Sequence, residues 1–415
     1  MAVQTDVVVV GAGIVGVSVA VHLQKRGRAV TLVDRRAPGE ETSFGNAGLI
    51  QREGVYPYGF PHDFGALLRH ALNRGTEAHY HLSALPKLAP FLARYWWASR
   101  PTRHERIARE YAPLIEHCLT EHRALADEAG ARHLMRPTGW LKLYRTQGMM
   151  DQEVREAEEV QRDFGVNLAA LDPTALADLE PHLRTDLVGA LHWTDPESVS
   201  DPHALTLAYA ALFERLGGQF LVGEAASLRQ TRAGWSMTTE AGPLEAGAAV
   251  LALGPWADVV TKRLGYNLPL AVKRGYHMHY AATGNAVLNR PCLDLERGYL
   301  LAPMARGIRL TTGAEFADRD APKTPVQLER AEPHARDLFP LGARLDAEPW
   351  MGRRPATPDM MPIIGPAPRH PGLWFAFGHA HHGLTLGPVT GRLVADMLTG
   401  ERPYVDPRPY RADRF

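Results

Sequence analysis

Residues 7–10 are four consecutive valines between Asp6 and Gly11, the pattern of a strand buried on both faces of a parallel sheet. A turn follows at once, Gly11-Ala12-Gly13-Ile14-Val15-Gly16. An apolar helical pattern then runs over 17–26 and stops at Gly27 with cations in its last turn. A second strand is predicted over 29–33, ending at Asp34. Helical periodicity recurs over 83–97, 103–129, 149–164 and 202–217. Strand patterns occupy 139–144, 220–222, 235–239, 248–253, 271–280, 298–303, 307–312 and 373–377. The helix pattern over 389–398 closes the series.

The first turn carries the first chemistry. Gly11 permits a tight bend, Gly13 lets backbone N–H groups approach a pyrophosphate, and Gly16 allows helix and strand to pack closely. Asp34 lies 23 residues after Gly11 and ends the next strand, where a carboxylate accepts hydrogen bonds from ribose hydroxyls. Strand, glycine turn, helix and terminal acid together favour a dinucleotide over glycines that serve packing alone. The neighbouring pair Arg35-Arg36 suits a 2′-phosphate, but Asp34 would repel one, so a solvated surface pair is the preferred account.

Composition narrows the partners. Lys plus Arg and Asp plus Glu both number 46 in 415 residues, so there is no net charge to attract nucleic acid. Apolar residues at 45% and charged residues at 22% are ordinary for a folded chain. Cys118 and Cys292 are the two cysteines, with no metal-type spacing. The apolar stretch 7–21 is interrupted by glycines and too short to span a membrane. A cytoplasmic location is expected, with contact at the inner face of the membrane left open.

After Asp34 comes a small, polar, glycine-rich loop ending Ser43-Phe44-Gly45-Asn46-Ala47-Gly48-Leu49. With the first turn, this loop resembles the FAD-dependent amine and D-amino-acid oxidoreductase superfamily, and within it the bacterial D-amino acid dehydrogenases. Three later blocks carry the same resemblance. One is the apolar strand before Gly254-Pro255-Trp256. Another is Arg353-Arg354-Pro355-Ala356-Thr357-Pro358-Asp359 with Pro362-Ile363-Ile364-Gly365. The third is Gly378-His379-Ala380-His381-His382-Gly383-Leu384-Thr385.

The resemblance implies an α/β fold, with a Rossmann-like FAD-binding domain on a parallel sheet and a second α+β substrate domain on an antiparallel sheet. The FAD domain is expected to be discontinuous, at 1–80, 201–266 and 354–415, with 81–200 and 267–353 forming the substrate domain. The implied cofactor contacts begin with Gly11, Ala12, Gly13, Ile14, Val15, Gly16, Asp34 and Arg35, and continue through Thr42, Ser43, Asn46, Ala47, Gly48 and Leu49. Ala225, Gly254 and Trp256 follow, then Gly378, His382, Gly383, Leu384 and Thr385. Arg354 is the expected receptor for a substrate carboxylate, with its neighbour Arg353 not separable from it by sequence. Tyr299 matches a substrate-binding tyrosine, and His381 stands where glycine-oxidase-like members place a second arginine. His277 and His279 are expected to be polar strand residues, and no metal is expected.

The implied reaction is oxidative deamination of an amino acid. Hydride passes from Cα to flavin N5, and the resulting imine is hydrolysed to a 2-oxo acid. A secondary-amine oxidoreductase and an electron-transfer flavoprotein subunit are the alternatives. Arg309 is the cation nearest the position where sarcosine-type oxidases carry a lysine for oxygen reduction. A quinone or an electron-transfer chain is therefore the expected acceptor, with a homo-oligomer left open. The aromatic helix near Trp96 suits either a core face or a docking surface.

No cysteine follows Cys292, and Phe44 adjoins Ser43, so FAD is expected without a covalent link. Acid precipitation should release all the yellow colour to the supernatant; colour left in the pellet overturns this.

Overall fold

The computed structural model describes residues 3–62, 65, 72–73, 75–184 and 186–415. The first of its two large sheets has eight strands. Val3–Val10 lies between Val30–Asp34 and Gly242–Leu251, parallel to both. Gln219–Val222 extends the parallel set on one side and Leu373–Phe377 on the other. Arg229–Thr231, Gly234–Thr239 and Ile363–Pro366 add antiparallel pairs.

The valine run needs no polar alternation because both of its faces are covered. Val7 and Val9 pack with the helical layer, among Val17, Leu386 and Val389. Val8 and Val10 pack on the other face with Trp235, Leu244 and Phe375. The helical layer is built on the helices Ile14–Lys25 and Gly383–Thr399. They touch where Gly391 passes Ser18: a Cβ on Gly391 would sit 2.5 Å from the Ser18 carbonyl oxygen.

The helix expected over 103–129 is two helices, Pro101–Glu116 and Cys118–Ala129, broken at His117. Pro113, just before the break, has no amide hydrogen to donate to the preceding turn. Ile107, Tyr111, Leu114, Ile115 and Leu125 of this pair join the core that contains Val17 and Leu386. They therefore complete the helical layer of the first sheet, although they lie in the stretch assigned to the other domain.

The second sheet has eleven strands and is mainly antiparallel. Its long strand Ala271–Ala282 pairs antiparallel with Gly307–Thr312, Ala314–Phe316, Leu341–Arg344 and Trp350–Ala356. Two pairs are parallel, Cys292–Asp294 with Trp140–Tyr144 and Ala78–Tyr80 with Ala314–Phe316. The expected boundaries at 80 and 354 need correction, because Ala78–Tyr80 and Trp350–Ala356 both belong to this second sheet. Trp350–Ala356 crosses between the domains without a turn, and its end, Ala356, bridges to His379 beside the first sheet.

The helix Leu85–Ala98 buries Leu88, Phe91 and Tyr95 against Ala271, Ala356, Met360 and Ala380. Its aromatic face is therefore a core face at the domain junction. Trp96 and Trp97 stay partly exposed and stack with Arg100. No helix among the described residues is long and apolar enough to cross a membrane.

Gly391→Val should destabilise the fold by about 1–3 kcal/mol through overpacking of the two-helix contact. Denaturant unfolding checks this, and a variant as stable as the parent removes the contact from the account.

Candidate active site

A cavity of about 900 Å³ runs from the first glycine turn to the face of the second sheet. At one end its wall contains Gly11 to Val15, Asp34, Arg35, Ala225, Gly254 and Trp256. Asp34 accepts hydrogen bonds from the Ala12 and Arg35 amides, both at 2.7 Å. Burial pushes its carboxyl above the usual range, and these amides pull it back. Ser43 Oγ accepts from the Ile14 amide at 3.0 Å, so the loop is tied to the first turn of the helix. Arg35 pairs with Glu41 at 2.6 Å, its guanidinium 4.6 Å from the Trp256 ring centre.

Thr42, Ser43, Asn46, Ala47 and Leu49 continue the wall, and Gly383 and Leu384 bring the start of the long C-terminal helix to it. Gly16, Gly48, Gly378, Thr385 and His382 stand behind it rather than in it. Gly16 is needed there because a Cβ would lie 1.7 Å from the Gly11 carbonyl oxygen. The Thr385 hydroxyl accepts from the Gln51 amide at 3.2 Å and donates to the Leu49 carbonyl at 3.3 Å, fixing a wall residue from behind. His382 turns to the Tyr111 hydroxyl, 2.8 Å from Nδ1, and burial lowers its pKa to about 4, keeping it neutral.

At the other end the wall carries Arg354, His381 and Tyr299 together, with Tyr58, Tyr95, Lys273 and Phe316. Arg354 donates to the carbonyls of Gly313 at 3.3 Å and Arg274 at 3.5 Å. Among the described residues no carboxylate pairs with it, and burial lowers its pKa. Its guanidinium fits because residue 275 is glycine: a Cβ there would lie 2.4 Å from Nη1. Arg353 faces the other way, donating to the Arg319 carbonyl at 2.9 Å. The geometry thus separates the two neighbours that the sequence does not.

The Tyr299 hydroxyl donates to Asp294 at 3.1 Å and lies 3.0 Å from the His334 carbonyl. Its ring lines the cavity while its polar tip is engaged elsewhere. His381 lies under Tyr58, ring centres 4.5 Å apart, and its Nδ1 is buried without a partner. Burial and nearby Arg354 and Lys273 hold its pKa well below the ordinary value. Ala380, before it, has φ +48°, a left-handed turn that exposes the imidazole to the cavity.

Lys273, Tyr58, Tyr95 and Phe316 are among the wall residues that sequence reasoning missed. A signal for Lys273 existed: it and Arg274 are consecutive cations in a strand that holds no acid. His277 and His279 are polar strand residues as expected. His277 Nδ1 is 3.1 Å from the Gly45 carbonyl and His279 Nδ1 is 2.7 Å from Asp346. Arg309 is not in the cavity wall; it donates to His279 Nε2 at 3.0 Å and to the Asn46 carbonyl.

The residues present suit a flavin dinucleotide: a glycine turn that opens a helix, an acid at the end of the second strand, and a long cavity leading on to a cation with no ion-pair partner among the described residues. Residues 6–397 match the model of the FAD dependent oxidoreductase family. The chain belongs to that family. This flavoprotein is 32% identical to a D-amino acid dehydrogenase of Chromohalobacter salexigens, over 99% of each chain. It is 28% identical to a D-amino-acid oxidase of Bradyrhizobium diazoefficiens, over 99% of this chain and 98% of the other. Its fold matches glycine oxidase from Geobacillus kaustophilus with a TM-score of 0.78 at 23% identity, covering 99% of both chains. L-proline dehydrogenase from P. horikoshii matches with a TM-score of 0.75 at 20% identity, over 100% of this chain and 98% of that one. The family's cofactor is FAD, and the α/β architecture is shared with these structures.

Gly275→Ala should displace the Arg354 guanidinium without changing any charge. The flavoprotein should keep its FAD and bind simple carboxylates more weakly, read by titrating the flavin spectrum with propionate. Unaltered propionate binding means that Arg354 does not hold the carboxylate.

Proposed function

We propose that this flavoprotein is a dehydrogenase of D-amino acids, oxidising the Cα–N bond to an imine that water hydrolyses to a 2-oxo acid. The observation that carries the reading is Arg354, a guanidinium in the cavity with no acidic partner among the described residues. A desolvated arginine of this kind binds a carboxylate through two parallel hydrogen bonds. The full-length likeness to D-amino acid dehydrogenases supports the class and the stereochemistry.

In this reading Gly11 to Val15, Ser43 and the loop to Leu49 hold the pyrophosphate of FAD and guide its ring end, and Asp34 takes the ribose. Gly383 and Leu384 present the positive end of a helix to the ring. When bound, FAD supplies the two-electron acceptor for the substrate's Cα hydrogen. The protein's own task is placement. Arg354 orients the carboxylate, and the neutral His381 imidazole forms the wall beside it. Tyr58, Tyr95, Tyr299 and Phe316 exclude water around Cα.

For the acceptor we propose a quinone or an electron-transfer chain rather than oxygen, because Arg309 is committed to His279 and Asn46 outside the cavity wall. Stopped-flow mixing of substrate-reduced protein with aerated buffer should show reoxidation far slower than turnover with a quinone. Reoxidation as fast as turnover makes the protein an oxidase.

Anaerobic addition of a D-amino acid should bleach the flavin. Arg354→Ala should retain FAD and weaken apparent substrate binding roughly 10- to 150-fold, the equivalent of about 1.5–3 kcal/mol for a lost charge-assisted contact. Bleaching by L- or N-methyl amino acids alone, or unchanged kinetics in the variant, overturns the reading.

A further inference from the structure

The substrate end of the cavity holds one cation more than a simple amino acid needs. Lys273 and Arg354 are direct partners across the antiparallel strands Ala271–Ala282 and Trp350–Ala356. Directly opposed residues lie on one face of a sheet, and both side chains line the cavity. Lys273 is buried, and Nζ is 3.1 Å from the Tyr95 hydroxyl and 3.7 Å from the Met360 sulfur. It lies 4.2 Å from the Tyr95 ring centre and 5.5 Å from that of Phe316. None of these partners carries a negative charge, since burial holds the Tyr95 phenol well above its ordinary pKa.

The contrast with the neighbouring residue is informative. Arg274, on the opposite face of the same strand, is fully buried and answered by Glu315 at 2.5 Å, with the Tyr276 hydroxyl and three carbonyls completing its shell. The fold thus supplies a carboxylate where a buried cation serves structure. Facing the cavity the pattern differs: among the described residues neither Lys273 nor Arg354 has an ion-pair partner. The basic groups that face each other there are Lys273, Arg354 and His381. Among the described residues the acids of the wall are Asp34, Glu40, Glu41 and Glu224 at the nucleotide end, and Glu77 beside the second sheet.

One α-carboxylate answers Arg354 and leaves Lys273 as an uncompensated charge in a dry site, an unfavourable arrangement. A second carboxylate on the substrate removes that imbalance. We propose that Lys273 is the receptor for a second carboxylate, so that the preferred substrates are amino dicarboxylates. This rests on the amino-acid dehydrogenase reading above and names its substrate class. The same chemistry is offered by an acidic side chain and by a carboxyalkyl group on the nitrogen. Lys273 also accounts for the aromatic lining: Tyr95 and Phe316 hold the ammonium in place by cation–π contact without neutralising it.

The test uses the full-length, FAD-loaded protein and two measurements. The first is anaerobic flavin reduction by D-aspartate, D-glutamate and iminodiacetate, set against D-asparagine, D-glutamine and sarcosine. At least one acid should exceed its uncharged counterpart in kcat/KM by roughly 10-fold or more, the size of a charge-assisted contact. Whether D-glutamate, D-aspartate or iminodiacetate leads tells a side-chain acid from an N-carboxyalkyl one. In Lys273→Met that preference should collapse, and in Lys273→Arg it should largely survive. Acids and amides used equally by the parent, or an unchanged preference in Lys273→Met, overturn the proposal.

The second measurement needs no turnover: glutarate and succinate against butyrate, titrated into the oxidised protein and read by the flavin spectrum. The diacids should bind roughly 10-fold tighter than butyrate in the parent and lose that advantage in Lys273→Met. Equal binding of diacid and monoacid also overturns it. If no amino acid of any kind bleaches the flavin, the dehydrogenase reading fails, and the diacid titration still decides the role of Lys273. Normal FAD content in each variant shows that it has folded.

Discussion

Lys273 faces Arg354, and Gly275 lies under the Arg354 guanidinium, because Ala271–Ala282 and Trp350–Ala356 pair in one particular register. Much of the substrate end depends on that pairing. Side chains alternate along a strand, so a slip by one residue would send Arg354 to the face now held by Arg353 and bring Arg353 into the cavity. The anchors of the register lie outside the cavity. Arg274 is locked to Glu315 on the far face, Arg353 is tied to the Arg319 carbonyl, and Ala356 bridges to His379. The last contact joins the register of the second sheet to the turn that presents His381.

This arrangement has an electrostatic cost. Two cations and an imidazole share a poorly solvated pocket in which, among the described residues, neither cation has an ion-pair partner, and burial lowers the pKa of Lys273 to about 7. Functional sites commonly retain such unfavourable groups because a ligand compensates them. Here the surrounding structure is dense enough to carry the cost. The strand Val3–Val10 is covered on both faces, and the helices Ile14–Lys25 and Gly383–Thr399 touch backbone to side-chain-free backbone at Gly391. The same two helices begin at the cavity, so this close contact steadies the start of both.

The helix Leu85–Ala98 closes the junction between the domains with the face that carries Leu88, Phe91 and Tyr95. Tyr95 links several parts of the site. Its hydroxyl donates to the Tyr58 carbonyl at 2.8 Å and receives the Lys273 ammonium, so the segment over His381 and the second cation are positioned by one phenol. Polar contacts of this kind in a dry setting are costly to leave unmade, which is how they keep a pocket in one shape.

What the sequence alone determined about this protein was local. The valine run, the turn from Gly11 to Gly16 and the acid at 34 declare a nucleotide-binding strand–turn–helix because each position acts through its own backbone or its near neighbours. The later blocks around Gly254, Pro355 and Gly383 were legible only through their resemblance to FAD-dependent oxidoreductases. Tertiary structure alone decided what lies between them. Arg353 and Arg354 are equivalent in sequence and are separated only by strand parity. Lys273 became a cavity residue only when its strand was paired with one from the far end of the chain. The helices 101–116 and 118–129, which lie within the stretch assigned to the second domain, join the first core with Leu384 and Leu386. Long-range burial chooses which face of an element meets which partner, and a pattern of apolar spacing says that a face is buried without naming what buries it.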